Sequence, residues 1–208
     1  MKKIVVGISF ISIIIIIVYC LMPHGYKIKN SIPSGEAIVC FGDSLTYGTG
    51  AKKGMDYPSQ LSGMIGMPVL NEGVPGDTTS DALRRIDDVL KKNPRIVLIT
   101  LGGNDLKNGV SKETAFENLR VIIEKIQVKG ALVIIGGIDL PFFGKGFDDA
   151  YKLLARKTGS ILIPNIFDGI LGHPDLMSDS IHPNSAGYTI MARQFYKAVK
   201  PYLDRQLL

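Results

Sequence analysis

Five short apolar runs constrain this chain more than any other feature: residues 37–41, 69–70, 96–101, 131–135 and 161–163. Their apolar residues follow one another almost without polar interruption, so each strand is expected to be covered on both faces, the condition of a buried parallel sheet. Between them lie stretches of helical period, at 58–65, 80–90, 112–128 and 147–157, with a last one at 185–199. In 80–90, Leu83, Ile86, Val89 and Leu90 share one side while Arg84, Arg85, Asp87 and Asp88 hold the other. In 112–128, Phe116, Leu119, Ile122, Ile123 and Ile126 are spaced for burial. Strand and helix therefore alternate, which predicts an α/β domain whose functional loops follow the carboxyl ends of the strands. A chain of 208 residues suffices for one such domain.

The first residues stand apart. Lys2 and Lys3 precede an uncharged, isoleucine-rich stretch over 4–22, long enough to span hydrocarbon. It reads as a membrane anchor with the remainder of the chain on the extracytoplasmic side. A cleaved signal followed by secretion is the alternative, but the bulky Tyr19 before Cys20 makes a poor cleavage site and a poor lipid-attachment site. Residues 23–35 read as a linker and 36–208 as the folded domain. The net charge of +5 comes largely from Lys2, Lys3, Lys27 and Lys29, which leaves the domain near neutrality and gives no footprint for nucleic acid. Cys20 and Cys40 are too few for a disulfide scaffold, and no obligate protein partner is indicated.

Four polar blocks fall at or near the expected rim. Gly42-Asp43-Ser44-Leu45 follows the first strand, and Ser44 reads either as a helix cap or as a nucleophile at a helix start. Position 46 is not the glycine that a nucleophile elbow requires, which argues against the α/β-hydrolase fold. The run from Asn71 to Thr79 is either a Gly-Pro turn capped by Thr78 or Thr79, or a loop whose Gly76 amide faces a substrate oxygen. Gly102-Gly103-Asn104-Asp105 is either an Asx turn or a placement of the Asn104 amide as a donor. Asp179 lies three residues before His182, a workable acid–base spacing if the loop bends between them; an ordinary surface histidine is the other reading. The three histidines, His24, His173 and His182, show no metal-ligand spacing.

Together these blocks resemble those of the SGNH, or GDSL, hydrolase family, most closely its thioesterase I, arylesterase and lysophospholipase L1 branch, over about residues 37–202. The resemblance implies a flavodoxin-like, three-layer α/β/α sandwich with a five-stranded parallel sheet. It implies Ser44 as nucleophile, His182 as base and Asp179 as the acid that orients it. The oxyanion hole would be the Ser44 and Gly76 amides with the Asn104 side chain, and Asp43, Asp77 and Asp105 would support the loops. No metal or organic cofactor is implied. The expected substrate is a small-molecule or lipid carboxylic ester or thioester, such as an acyl ester or lysophospholipid. An acetylesterase of cell-envelope carbohydrate, or a non-catalytic anchored binding domain, is the alternative. For the acyl group, residues 106–110, Phe142-Phe143 and Ile170-Leu171 are candidates, each equally readable as core; His173-Pro174 is a candidate for the rim.

Overall fold

The computed structural model describes residues 25–139 and 146–204. Residues 4–22, with Cys20 and the neighbouring His24, lie outside them, as does Phe142-Phe143. Among the described residues no helix is long and apolar enough to cross a membrane.

The strands are β1 (Ala37–Gly42), β2 (Val69–Gly73), β3 (Pro94–Thr100), β4 (Leu132–Gly136) and β5 (Ile161–Ile163). They form one sheet in the order β2-β1-β3-β4-β5, with every neighbouring pair parallel. Burial follows from the apolar runs: every residue of β3 and β4 is buried, whereas β2 and β5 at the two edges are only partly covered. Short edge strands leave little unpaired backbone open to a foreign strand.

The helices are α1 (Ser44–Tyr47), α2 (Tyr57–Ile65), α3 (Thr79–Arg84), α4 (Ile86–Leu90), α5 (Gly103–Lys107), α6 (Lys112–Val128), α7 (Phe147–Thr158) and α8 (Ser185–Leu203), with a 3₁₀ turn at Pro174–Leu176. Helix α2 packs on α8, and α6 packs on α3 and α7, so the sheet lies between two helical layers. The chain passes from β1 outward to β2 and then back across to β3. That reversal opens a crevice at the carboxyl ends of β1 and β3, the place where open parallel sheets bind ligands.

Two elements depart from the sequence expectation. The single helix foreseen over 80–90 is two, broken at Arg85, whose backbone (φ −108°, ψ 8°) leaves the helical region. The Arg85 side chain is drawn away to partners described below. The loop foreseen after β3 contains α5, which starts beyond Gly102 at φ +117°. Only glycine takes that angle at no cost, so the helix turns straight off the buried strand.

Candidate active site

Asp43 determines how Ser44 is presented. Its carboxylate accepts from the Leu45 amide (3.0 Å) and caps α1. Ser44 is then the first helical residue, and its hydroxyl is released from capping. Helix α1 sits directly on the strand ends because Gly42 and Gly73 have no side chain there. A Cβ on Gly42 would strike Thr46 and Thr100, and one on Gly73 would strike the Tyr47 backbone.

Asp179 and His182 reach the same point from the other end of the chain. Asp179 Oδ1 accepts from the Ile181 and His182 amides (2.9 and 2.8 Å), which bends the loop between the pair. The Ser178 amide and hydroxyl donate to the His182 carbonyl (2.9 and 3.1 Å), and Met177 bridges Pro183, closing the loop. Asp179 Oδ2 then lies 2.7 Å from His182 Nδ1, and His182 Nε2 lies 3.0 Å from Ser44 Oγ. A carboxylate only accepts, so the imidazole proton sits on Nδ1 and Nε2 is free to accept from the serine. The hydrogen bond from His182 holds the Asp179 carboxyl down at about 2, so this acid is ionised at every ordinary pH.

The second and third loops are tied to the first. Val74-Pro75-Gly76-Asp77 closes by a bond from the Asp77 amide to the Val74 carbonyl (3.2 Å). Proline in the second place and glycine at φ +89° in the third fit a type II turn. No atom lies within 4 Å of where a Gly76 Cβ would stand, so the glycine serves the backbone angle and leaves open space beside it. Asn104, in the first turn of α5, donates to the Asp77 carbonyl (2.9 Å) and lies 3.5 Å from Asp43 Oδ2. Asp105 is fully buried and accepts from the Thr79 amide (2.9 Å) and hydroxyl (2.6 Å), binding α5 to the start of α3. Thr78, not Thr79, is the cap of α3.

Sequence reasoning missed Arg85, which it placed on the polar side of a helix. Its Nε donates to Asp77 (2.6 Å), its terminal nitrogen donates to the Gly42 carbonyl (2.9 Å), and its guanidinium lies 4.5 Å from the centre of the Phe41 ring. One side chain thus joins the end of β1 to the turn after β2. The only signal in the sequence was an arginine adjoining the apolar side of its helix. Thr46, Tyr57 and Thr100, which form a buried hydroxyl cluster under α1, gave no signal at all.

The acyl-site candidates separate. Ile170 is core, and Leu106 is partly buried against the core. Leu171, His173 and Pro174, with Met177 and Asp179, line an open depression of about 410 Å³ beside the Asp179–His182 loop.

Asp43 is almost fully buried, and burial pushes its carboxyl up to about 7. It binds a proton more tightly folded than unfolded. Its contribution therefore favours the folded state at acidic pH and is lost as pH rises from about 4 towards 7. The Asp43→Asn variant keeps the cap acceptor but cannot ionise. Between about pH 4 and pH 7 the wild type is expected to lose on the order of a few kcal/mol relative to it. Urea unfolding of both proteins across that window checks this; parallel pH profiles would remove Asp43 as the source.

With this geometry in hand, comparison with known proteins gives one answer. The model of the GDSL-like lipase/acylhydrolase family matches residues 40–190. The thioesterase 1/protease 1/lysophospholipase L1 of Escherichia coli is 28% identical over 180 residues, covering 82% of this chain and 86% of the relative. The arylesterase of Vibrio mimicus is 30% identical over 162 residues, covering 72% of this chain and 81% of the relative. The crystal structure of TesA superposes with a TM-score of 0.76 at 27% identity, covering 81% of this chain and all of that one.

Proposed function

The chain belongs to the GDSL-like lipase/acylhydrolase family and is a serine ester hydrolase, and from that premise we propose how its residues divide the work. Ser44 is the nucleophile, His182 the general base and Asp179 the group that fixes the imidazole. His182 Nε2 takes the Ser44 proton as Oγ attacks the carbonyl carbon of an ester or thioester. The oxyanion formed is held by the Ser44 amide, the Gly76 amide and Asn104 Nδ2. Each such donor is worth about 3 kcal/mol where it meets developing charge. The imidazolium then protonates the leaving alcohol or thiol as its bond to carbon breaks. A water, deprotonated by His182, releases the acid. Asp43, Asp77, Asp105 and Arg85 hold the three loops in register. The observation that carries this reading is the unbroken chain from Asp179 through His182 to Ser44, at 2.7 and 3.0 Å.

The substrates are acyl esters, with lysophospholipids among them. Support comes from the activities named for the relatives above, and from exposed Tyr47 at the end of α1 and exposed Val74 and Ile181 on the loops that carry or adjoin the site residues. Residues 4–22 hold the enzyme to a membrane, with the domain on the extracytoplasmic side. The test is a series of p-nitrophenyl esters of graded chain length, run beside a lysophospholipid and an acetylated glycan. Turnover of medium-chain esters and lysophospholipid is expected. Turnover of acetylated glycan alone would replace the lipid reading with the acetylesterase one. The native protein is expected to begin at or near Met1, and a mature start near Pro23 or His24 in its mass spectrum would reject the anchor.

A further inference from the structure

The stretch read as a linker is fastened across the end of the sheet opposite the site. Tyr26 donates to the Ser160 carbonyl (2.6 Å) and Lys29 N–H to that of Gly159 (2.9 Å), both just before β5. Asn30 Nδ2 donates to the Gln127 and Ala131 carbonyls (2.9 Å each), and Ser34 N–H to Gly130 (3.1 Å), between the last turn of α6 and the start of β4. The Glu36 and Ala37 amides donate to Asn93 (2.9 and 3.2 Å), just before β3. The segment thus crosses the amino ends of β5, β4 and β3 in turn before it enters β1. Tyr26 and Ile28 also pack against the core.

The crossings are built into the fold. Gly159, Gly130 and Gly35 mark them, all at positive φ (+68°, +84° and +98°). A Cβ on Gly159 would lie 2.9 Å from the Lys27 carbonyl, and one on Gly35 would lie 2.5 Å from that of Pro94. A Gly130 Cβ would strike Ser34. Gly35 and Gly159 therefore let backbone lie on backbone, and Gly130 leaves room for the Ser34 side chain, where a Cβ would push the strap away.

We propose that this strap sets the polarity of the enzyme: it keeps the amino-end face towards the membrane that holds residues 4–22 and turns the Ser44–His182 rim away from it. The substrates are then esters dispersed in water or presented from the far side, and not lipids seated in the enzyme's own bilayer. A lysophospholipid is reached as a monomer that has left the membrane. This rests on the reading of residues 4–22 as an uncleaved anchor. Only Pro23, His24 and Gly25 separate that run from Tyr26, a tether of about 10 Å at full extension. The seven residues of β3 alone place the rim about 23 Å beyond the strap. The tether is too short for the domain to turn over.

The test uses the full chain in vesicles, with Cys20→Ser removing the thiol in the apolar run; Cys40 is buried. A donor dye is placed on Lys53→Cys, in the exposed loop after α1, or on Lys129→Cys, beside the strap, with an acceptor on the lipid headgroups. Severalfold stronger transfer is expected from position 129. Stronger or equal transfer from position 53, in protein that floats with the vesicles, overturns the polarity while sparing the anchor. Protein left behind by the vesicles overturns the anchor and the polarity together. A second arm inserts about 20 Gly/Ser residues between Gly25 and Tyr26, adding roughly 25 Å of reach. Hydrolysis of a diacyl-anchored ester in the same vesicles is expected to rise severalfold, with turnover of a soluble ester unchanged. An unchanged rate on the anchored ester contradicts the proposal.

Discussion

Ser44→Ala is expected to lower kcat by about a million-fold on any ester the wild type accepts, with the fold intact. A nucleophile that works as a unit with its base leaves only binding and oxyanion stabilisation when removed, and losses of that order follow. The substitution should cost little stability. The cap of α1 is the Asp43 side chain, and among the described residues Ser44 Oγ is hydrogen-bonded only to His182. Circular dichroism and a thermal melt run beside p-nitrophenyl ester turnover separate the two effects. An Ala variant that keeps wild-type turnover would show that the nucleophile lies elsewhere.

Asp179→Asn is expected to lower kcat by about ten-thousand-fold, and the reason lies in how its two oxygens are used. Oδ1 is committed to the Ile181 and His182 amides, so an asparagine at this place keeps its oxygen there. Its NH₂ then faces His182 Nδ1. A donor against a donor is untenable, so the ring shifts its proton to Nε2 and loses the lone pair that accepts from Ser44. A wrong tautomer of this kind costs about 10⁴ in kcat. The loop itself should survive, since both backbone bonds are retained. The rate of the variant should recover as pH is raised and hydroxide replaces the missing base. A loss under tenfold, with an unchanged pH profile, would show that Asp179 does not set the tautomer.

What was legible in the sequence was whatever a single element carries by itself. The runs at 96–101 and 131–135 could only be buried strands, and the spacing of Phe116, Leu119, Ile122, Ile123 and Ile126 gave α6 its observed bounds. Ser44, His182 and Asp179, which the fold brings within hydrogen-bond reach of one another, could be singled out because each stands in a compact motif. Arg85 was not, because its partners Asp77, Gly42 and Phe41 lie on other elements and only the fold brings them together. The same holds for residues 26–36. Prolines, glycines and lysines without a period look like a tether, and the hydrogen bonds that bind them go to carbonyls far away in sequence, ahead of β3, β4 and β5. Gly35, Gly130 and Gly159 are far apart in sequence, so nothing in the order of residues announces that they serve one contact.

Covalent trapping identifies the nucleophile. The purified enzyme is treated with a fluorophosphonate until activity is lost, then digested and read by tandem mass spectrometry. One phosphonyl group per active site is expected, on Ser44, with no labelling of Ser44→Ala. An adduct on a different residue at full inactivation, or full activity in protein labelled at Ser44, would show that Ser44 is not the nucleophile.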